Sequence, residues 1–162
     1  LGILPQIRKS QMTIEIFIDA DACPVKDEIY KVAFRYKVPV CVVSNSFIRI
    51  PDDPLITRSI VTAGPDAADD FIAQQVKPGS VVITADILLA ERCLKSAASV
   101  ISPTGKPFTE NSIGSAVATR ALMEGLRSTG DITGGPSPFS QADRSRFLSA
   151  LDEVLVRLKR SA

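Results

Sequence analysis

Short apolar runs alternating with helical segments constrain this chain more than any other feature in it. Ile14-Glu15-Ile16-Phe17-Ile18, Val40-Cys41-Val42-Val43, 59–63, 80–84 and 98–101 are brief and rich in Val and Ile. Between them, 25–36, 66–76 and 87–95 read as helices, the first with Val25, Ile29, Val32, Ala33 and Tyr36 at helical spacing. Near-continuous apolar strands joined through helices pair in parallel and are covered on both faces. The expected fold is therefore a three-layer α/β/α domain with a mainly parallel central sheet and added C-terminal helices. Pro24 suits the first position of the first helix. Residues 46–56 read as loop, and Lys77-Pro78-Gly79 halts the second helix. Ser102 to Pro107 forms a turn-rich connector, followed by helices over 109–127 and 140–160 with Gly130 and Gly134-Gly135-Pro136 between them. The last helix carries Phe147, Leu148, Leu151, Val154, Leu155 and Leu158 on one stripe.

The chain has 162 residues, which suits a single domain with its own core. Met12 followed by a strand resembles a natural start, so residues 1–11 are expected to be a disordered extension or tag, with the domain spanning 12–160. No apolar run approaches the roughly 20 residues that span a bilayer. Cys23, Cys41 and Cys93 are odd in number and widely spaced, which suits a reducing cytoplasm better than a disulfide framework. The chain contains no histidine, which excludes Ser-His-Asp triads, Cys-His dyads and His-containing zinc sites. Any chemistry must use carboxylates, hydroxyls, thiols, cations or a metal held by oxygens. Residues 1–91 hold 9 basic and 12 acidic side chains, and the remainder 10 and 6. A basic half facing an anionic partner and ordinary surface charge both fit that split.

Ligands of an open parallel sheet bind beyond the carboxyl ends of its strands, and three groups of acids fall there. Asp19 and Asp21 close the first strand, Asp66, Asp69 and Asp70 follow the third, and Asp86 follows the fourth. At i, i+3 and i+4 the middle three share one side of a helix. Two like charges about 4 Å apart repel by roughly 4 kcal/mol at an effective dielectric near 20, so such a cluster takes up a proton or a cation. Oxygen donors without His or Cys suit Mg²⁺ or Mn²⁺. The competing reading is capping: Asp21, Asp66 and Asp86 each stand where a helix N-terminus needs an acceptor. Thr84, Asn45 and Asp70 are supporting polar groups. Lys26, Arg49, Arg120 and Arg144 are candidate phosphate contacts, as are Arg58 and Arg92. Cys23 sits at a helix start, where the dipole lowers a thiol pKa, although a packed small residue is the better reading. Asp52 and Asp53 read as solvated turn residues. Low aromatic content offers no evident base-stacking platform, and no Walker A or dinucleotide fingerprint occurs.

Asp19-Ala20-Asp21-Ala22-Cys23-Pro24-Val25-Lys26, Gly64-Pro65-Asp66-Ala67-Ala68-Asp69 and Ile83-Thr84-Ala85-Asp86-Ile87-Leu88-Leu89-Ala90 resemble the bacterial YaiI/YqxD family. Thr133-Gly134-Gly135-Pro136 and Asp143-Arg144 with Phe147 resemble its C-terminal motif. The resemblance runs from about residue 13 to 155, to a family of uncharacterised function. That family is similar to PIN-like domains, whose nuclease members hold Mg²⁺ or Mn²⁺ through acids at these strand ends. The resemblance implies that Asp19 is the first-strand acid, Asp66 or Asp69 the helix acid, and Asp86 the acid of a Thr-x-Asp pattern. Asp21 would be an acid peculiar to this family. The helix acid, often Glu in PIN nucleases, is Asp here.

These readings converge on metal-dependent phosphodiester hydrolysis, of RNA ahead of DNA. The alternatives are a non-catalytic nucleic-acid-binding or regulatory module and a haloacid dehalogenase-like phosphatase. The phosphatase reading makes Asp19 the nucleophile, Asp21 the general acid and Val82-Ile83-Thr84 the second motif. Its acidic motif should follow the Thr but precedes it, and Cys23 stands where that family has Thr or Ser. A monomer and a homodimer both fit the sequence.

Overall fold

A computed structural model describes residues 13–62, 64, 66–129 and 139–161. The expected extension over 1–11 and the Gly134-Gly135-Pro136 loop lie outside the described residues. The elements are β1 (Glu15–Asp19), a 3₁₀ turn (Ala20–Ala22), α1 (Lys26–Tyr36), β2 (Val40–Ser44), β3 (Ile56–Ile60), α2 (Ala67–Gln75), β4 (Ser80–Ile83), α3 (Ile87–Lys95), β5 (Ser99–Ile101), β6 (Pro107–Phe108), α4 (Glu110–Thr129) and α5 (Gln141–Ser161). The sheet has the order β3-β2-β1-β4-β5-β6, parallel from β1 to β5 with an antiparallel β6.

Side chains alternate across a strand, and the core divides accordingly. Ile16 and Ile18 of β1 join Val40, Val42, Val81, Ile83 and Ile101 on one face, covered by Ile29 and Val32 of α1 and by the stripe of α5. Phe17 joins Val43, Val82 and Val100 on the other, covered by Ile72 of α2, Leu89 and Cys93 of α3 and Ile113 of α4. The expected stripe on α5 is the seam: Phe147, Leu151, Val154 and Leu155 are buried, with Leu148 and Leu158 flanking them. Tyr36 adds a polar tie by donating its hydroxyl to Asp152 Oδ1 at 2.6 Å, linking α1 to α5. Phe147 has no solvent exposure. Phe147→Ala is expected to lower unfolding free energy by about 4 kcal/mol, because the vacated space lies between a helix and a sheet that cannot collapse into it. Urea denaturation measures the loss.

Three local expectations are corrected. The third strand is Ile56–Ile60, three residues earlier than expected, because Ile56 is the buried anchor that pairs with Val40. Ile60, which closes the strand, is 43% exposed on this sheet edge. Pro24 does not open a helix; α1 begins at Lys26 after a turn. The connector over 102–107 folds back, so that Pro107–Phe108 pairs with β5 as the short β6.

The strand order fixes where a ligand site can lie. From β1 the chain builds outward to β3, then restarts at β4 on the opposite side of β1. The crossovers leaving β1 and β4 therefore diverge, and a crevice opens at the carboxyl ends of these two strands.

Candidate active site

Strand parity brings the first two polar groups of the crevice together. Asp19 lies two residues beyond Phe17, and Thr84 two beyond Val82, so both turn toward the face covered by α2, α3 and α4. The buried Thr84 hydroxyl donates to Asp19 Oδ2 at 2.7 Å and accepts the Asp86 N–H at 2.9 Å. One hydroxyl thus orients the acid of β1 and fixes the backbone of the next acid. Asp86 caps α3: its Oδ1 accepts from the N–H groups of Leu88 and Leu89 at 2.9 and 3.2 Å. The capping reading of Asp86 is therefore correct for one of its two oxygens.

Of the acids on and before α2, one faces the crevice. α2 packs through Ala68 and Ile72, which leaves Asp69 half-buried beside the sheet edge while Asp66 and Asp70 are exposed. Asp66 occupies the N-cap position without a side-chain capping bond, and Asp70 pairs with Arg92 at 2.9 Å. The expectation that all three project together is thus corrected: the small Ala68 sets the packed side, and 69 is the position that turns inward. Burial, the charges of Asp86 and Asp19, and a hydrogen bond with Asp86 push Asp69 up to about 6. Burial also raises Asp19, against the lowering effect of Thr84, and the charges of Asp86 and Asp21 add to the rise. Three carboxylates from three chain segments therefore act on one another electrostatically.

The remaining candidate residues mostly brace the scaffold. Asp21 Oδ2 accepts the backbone N–H of Asn45 at 2.9 Å, tying the end of β1 to that of β2. Lys26 Nζ donates to the carbonyls of Ala20 and Cys23 at 3.1 and 3.0 Å. Arg144 donates to the Pro24 carbonyl, pairs with Glu28 at 3.3 Å and stacks on Phe139. Arg58 donates to the Ile48 carbonyl and lies over Phe47. Arg49 is exposed in the loop between β2 and β3, and Arg120 pairs with Glu124 at 3.3 Å on α4. Burial pushes the Cys23 thiol up, so it is a packed group rather than an activated nucleophile.

Of the candidate phosphate contacts, Arg120 alone borders a cavity that no motif in the sequence announces. Ala85 and Ile87, on either side of Asp86, line this cavity of about 700 Å³ between the β5–β6 hairpin and α4. Its polar wall includes Ser102, Lys106, Ser115, Thr119 and Arg120. The one signal available was the run of Ser, Thr and Ala at helical spacing over 112–119, which reads equally well as an ordinary solvent face.

The model of an uncharacterised family, YaiI/YqxD, matches residues 17–157, a span that includes every acid of the crevice. The chain belongs to the YaiI/YqxD family. Similar relatives include a UPF0178 protein of Bradyrhizobium diazoefficiens, 61% identical over 90% of this chain and 87% of its own length. Another, from Rhodopseudomonas palustris, is 60% identical over 90% of this chain and 92% of its own. A third, from Sphingopyxis alaskensis, is 62% identical over 90% and 95%. No solved structure matches the chain significantly. Among the described residues of this YaiI/YqxD protein, no helix is long and apolar enough to cross a membrane.

The donor set of this family member is compatible with a hard cation in a restricted sense. Among the described residues, no group of three His, Cys, Asp or Glu side chains is arranged to hold an ion outright. Mg²⁺, however, is commonly bound by one or two carboxylates, with water and substrate phosphate completing its shell. Asp19 and Asp86 each engage one oxygen in the bonds above, and burial, with the charges of Asp86 and Asp19 added to it, raises Asp69. The fit is to an ion held partly by protein and partly by substrate.

A stability test follows from Asp69. Its folded pKa, about 6, lies above the ordinary 3.8, so the folded state binds this proton more tightly than the unfolded chain does. The resulting stabilisation is complete below pH 3.8 and is lost as pH rises through 6. Asp69→Asn is expected to raise stability at pH 7.5 by about 1 kcal/mol, after discounting for solvent screening. It should also flatten the decline between pH 4.5 and 7, as read by denaturation at each pH.

Proposed function

We propose that this chain is a metal-dependent phosphodiesterase acting on nucleic acid, RNA ahead of DNA. The observation that carries this reading is the meeting of Asp19, Thr84, Asp86 and Asp69 in the crevice between β1 and β4. Bound Mg²⁺ or Mn²⁺ would polarise the phosphodiester and offset the charge that develops on it. The residues supply the rest. Thr84 fixes the Asp19 carboxylate through Oδ2, leaving Oδ1 for the ion. The α3 cap fixes Asp86 through Oδ1, leaving Oδ2. Asp69, half-buried beside Asp19 and Asp86, would accept a hydrogen bond from the attacking water and orient it. Asp66 and Asp21 add negative potential from the rim. The PIN-like resemblance points the same way.

A second reading, a non-catalytic nucleic-acid-binding or regulatory module, draws on the incomplete donor set among the described residues and on the capping duty of Asp86. A haloacid dehalogenase-like phosphatase draws less support. Asp21, its required general acid, is exposed and accepts the Asn45 N–H.

The test is Mg²⁺ and Mn²⁺ titration read by thermal shift, alongside degradation of mixed RNA and DNA oligonucleotides. Metal-dependent cleavage that disappears in Asp86→Asn supports the phosphodiesterase. Stabilisation by metal without cleavage selects the binding module. A phosphoaspartate trapped on Asp19 selects the phosphatase.

A further inference from the structure

We propose that the cavity between the β5–β6 hairpin and α4 binds the backbone and a base of single-stranded nucleic acid beside the acids. The inference rests on the phosphodiesterase reading for the fate of the strand, but not for its binding. The lining of the cavity mixes two kinds of group. Ile87, Phe108 and Met123 offer apolar surface to a base. Ser102, Lys106, Ser115, Thr119 and Arg120 offer hydroxyls and cations, the groups that most often contact phosphate and sugar.

That pairing comes from how α4 is mounted. Ile113 and Val117 attach the helix to the core beside α3. A different stripe, Ser112, Ala116, Thr119 and Met123, faces the hairpin. Residues spaced by three and four along a helix share a face, so the cavity-facing stripe, Met123 apart, is small where a packed helix would present Leu or Ile. Close approach of helix to hairpin is therefore not driven by burial, and a gap of about 700 Å³ stays open. This volume suits a small ligand or a short length of strand. Arg120 pairs with Glu124, which also lines the gap, but an exposed i,i+4 pair contributes little and yields readily to phosphate. Ala85 and Ile87 flank Asp86 in the chain, so a strand lying here reaches the β4–α3 turn that carries this acid.

The experiment is fluorescence anisotropy with labelled mixed-sequence pentaribonucleotide and pentadeoxyribonucleotide, in EDTA so that no cleavage intervenes. The full chain is compared with Lys106→Glu/Arg120→Glu, both exposed positions, and with Ser115→Trp, which fills the cavity from an exposed helix position. Circular dichroism melting of each variant establishes that it folds. Affinity is expected to fall at least about 10-fold in both variants. The slope of log affinity against log salt should lose about 1.4 in the charge variant, for two phosphate contacts on a single strand. Equal RNA and DNA affinities would place recognition in phosphate and base, and an RNA preference would add the ribose hydroxyl. The inference is overturned if the wild-type chain binds neither pentamer, if duplex competes as well as single strand, or if folded variants bind like wild type. Sensitive binding with no cleavage by the wild type overturns the phosphodiesterase and leaves the cavity assignment standing. Cleavage with unaltered binding in the variants does the reverse.

Discussion

Asp19→Asn is expected to abolish the proposed metal-dependent oligonucleotide cleavage, by at least about 1,000-fold or about 4 kcal/mol of transition-state stabilisation, while leaving the fold as stable as before or more so. Both halves of this expectation come from the same geometry. Asp19 is the acid that Thr84 holds in place, and its carboxylate carries the cost of burial beside Asp86 and Asp21. Asparagine keeps an oxygen to accept the Thr84 hydroxyl, so the buried Thr84 stays satisfied. It removes the charge, and with it both the desolvation cost and the means of holding a cation. Steady-state cleavage and thermal denaturation of the same preparation read the two effects. A variant that loses cleavage by unfolding, or that retains cleavage, contradicts the role given to Asp19.

Gly105→Ala is expected to destabilise the protein by about 4 kcal/mol, enough to prevent its accumulation in a folded form. Gly105 has φ +88°, a region that L side chains rarely adopt. A Cβ there would stand 2.6 Å from the carbonyl carbon of Arg146, and 2.7 Å from the Arg146 oxygen and the Phe147 nitrogen. These are backbone atoms of α5 and cannot rotate aside. Relief would require lifting the helix that seats Phe147, Leu151 and Leu155 in the core. The change therefore combines left-handed backbone strain with overpacking at the principal helix–sheet seam. Chemical denaturation, or the soluble yield where the variant does not fold, gives the magnitude. The neighbouring Ser102 hydroxyl accepts the Lys106 N–H, so the same turn also shapes the cavity beside α4.

The parts of this fold legible in the sequence are those set by local pattern. β1, β2, β4 and β5 announce themselves as apolar runs buried on both faces, and α5 by its stripe. Asp19 and Thr84 follow from parity, since each is two residues beyond an apolar strand residue on the same face. The features that escaped depend on packing between distant segments. β3 lies at the sheet edge and exposes Thr57, Arg58 and Ile60, so its pattern is weak and its register comes from pairing with β2. β6 has two residues and exists through β5. Which of Asp66, Asp69 and Asp70 enters the crevice depends on how Ala68 and Ile72 seat α2, and three acids at one helical spacing do not specify that. The cavity needs the hairpin and α4 together, and neither segment alone carries a recognisable motif.

The central physical claim is that side chains from β1, α2 and the β4–α3 turn form one electrostatic unit with a deficit of positive charge. Carbon-detected NMR titration of the Asp side-chain carboxyls, with and without Mg²⁺, tests it most directly. Asp69 should titrate near 6 in the metal-free protein, move toward the ordinary range in Asp86→Asn, and move the same way when Mg²⁺ is added. An Asp69 that titrates near 3.8 and responds to neither change would show that the three carboxylates do not share a site.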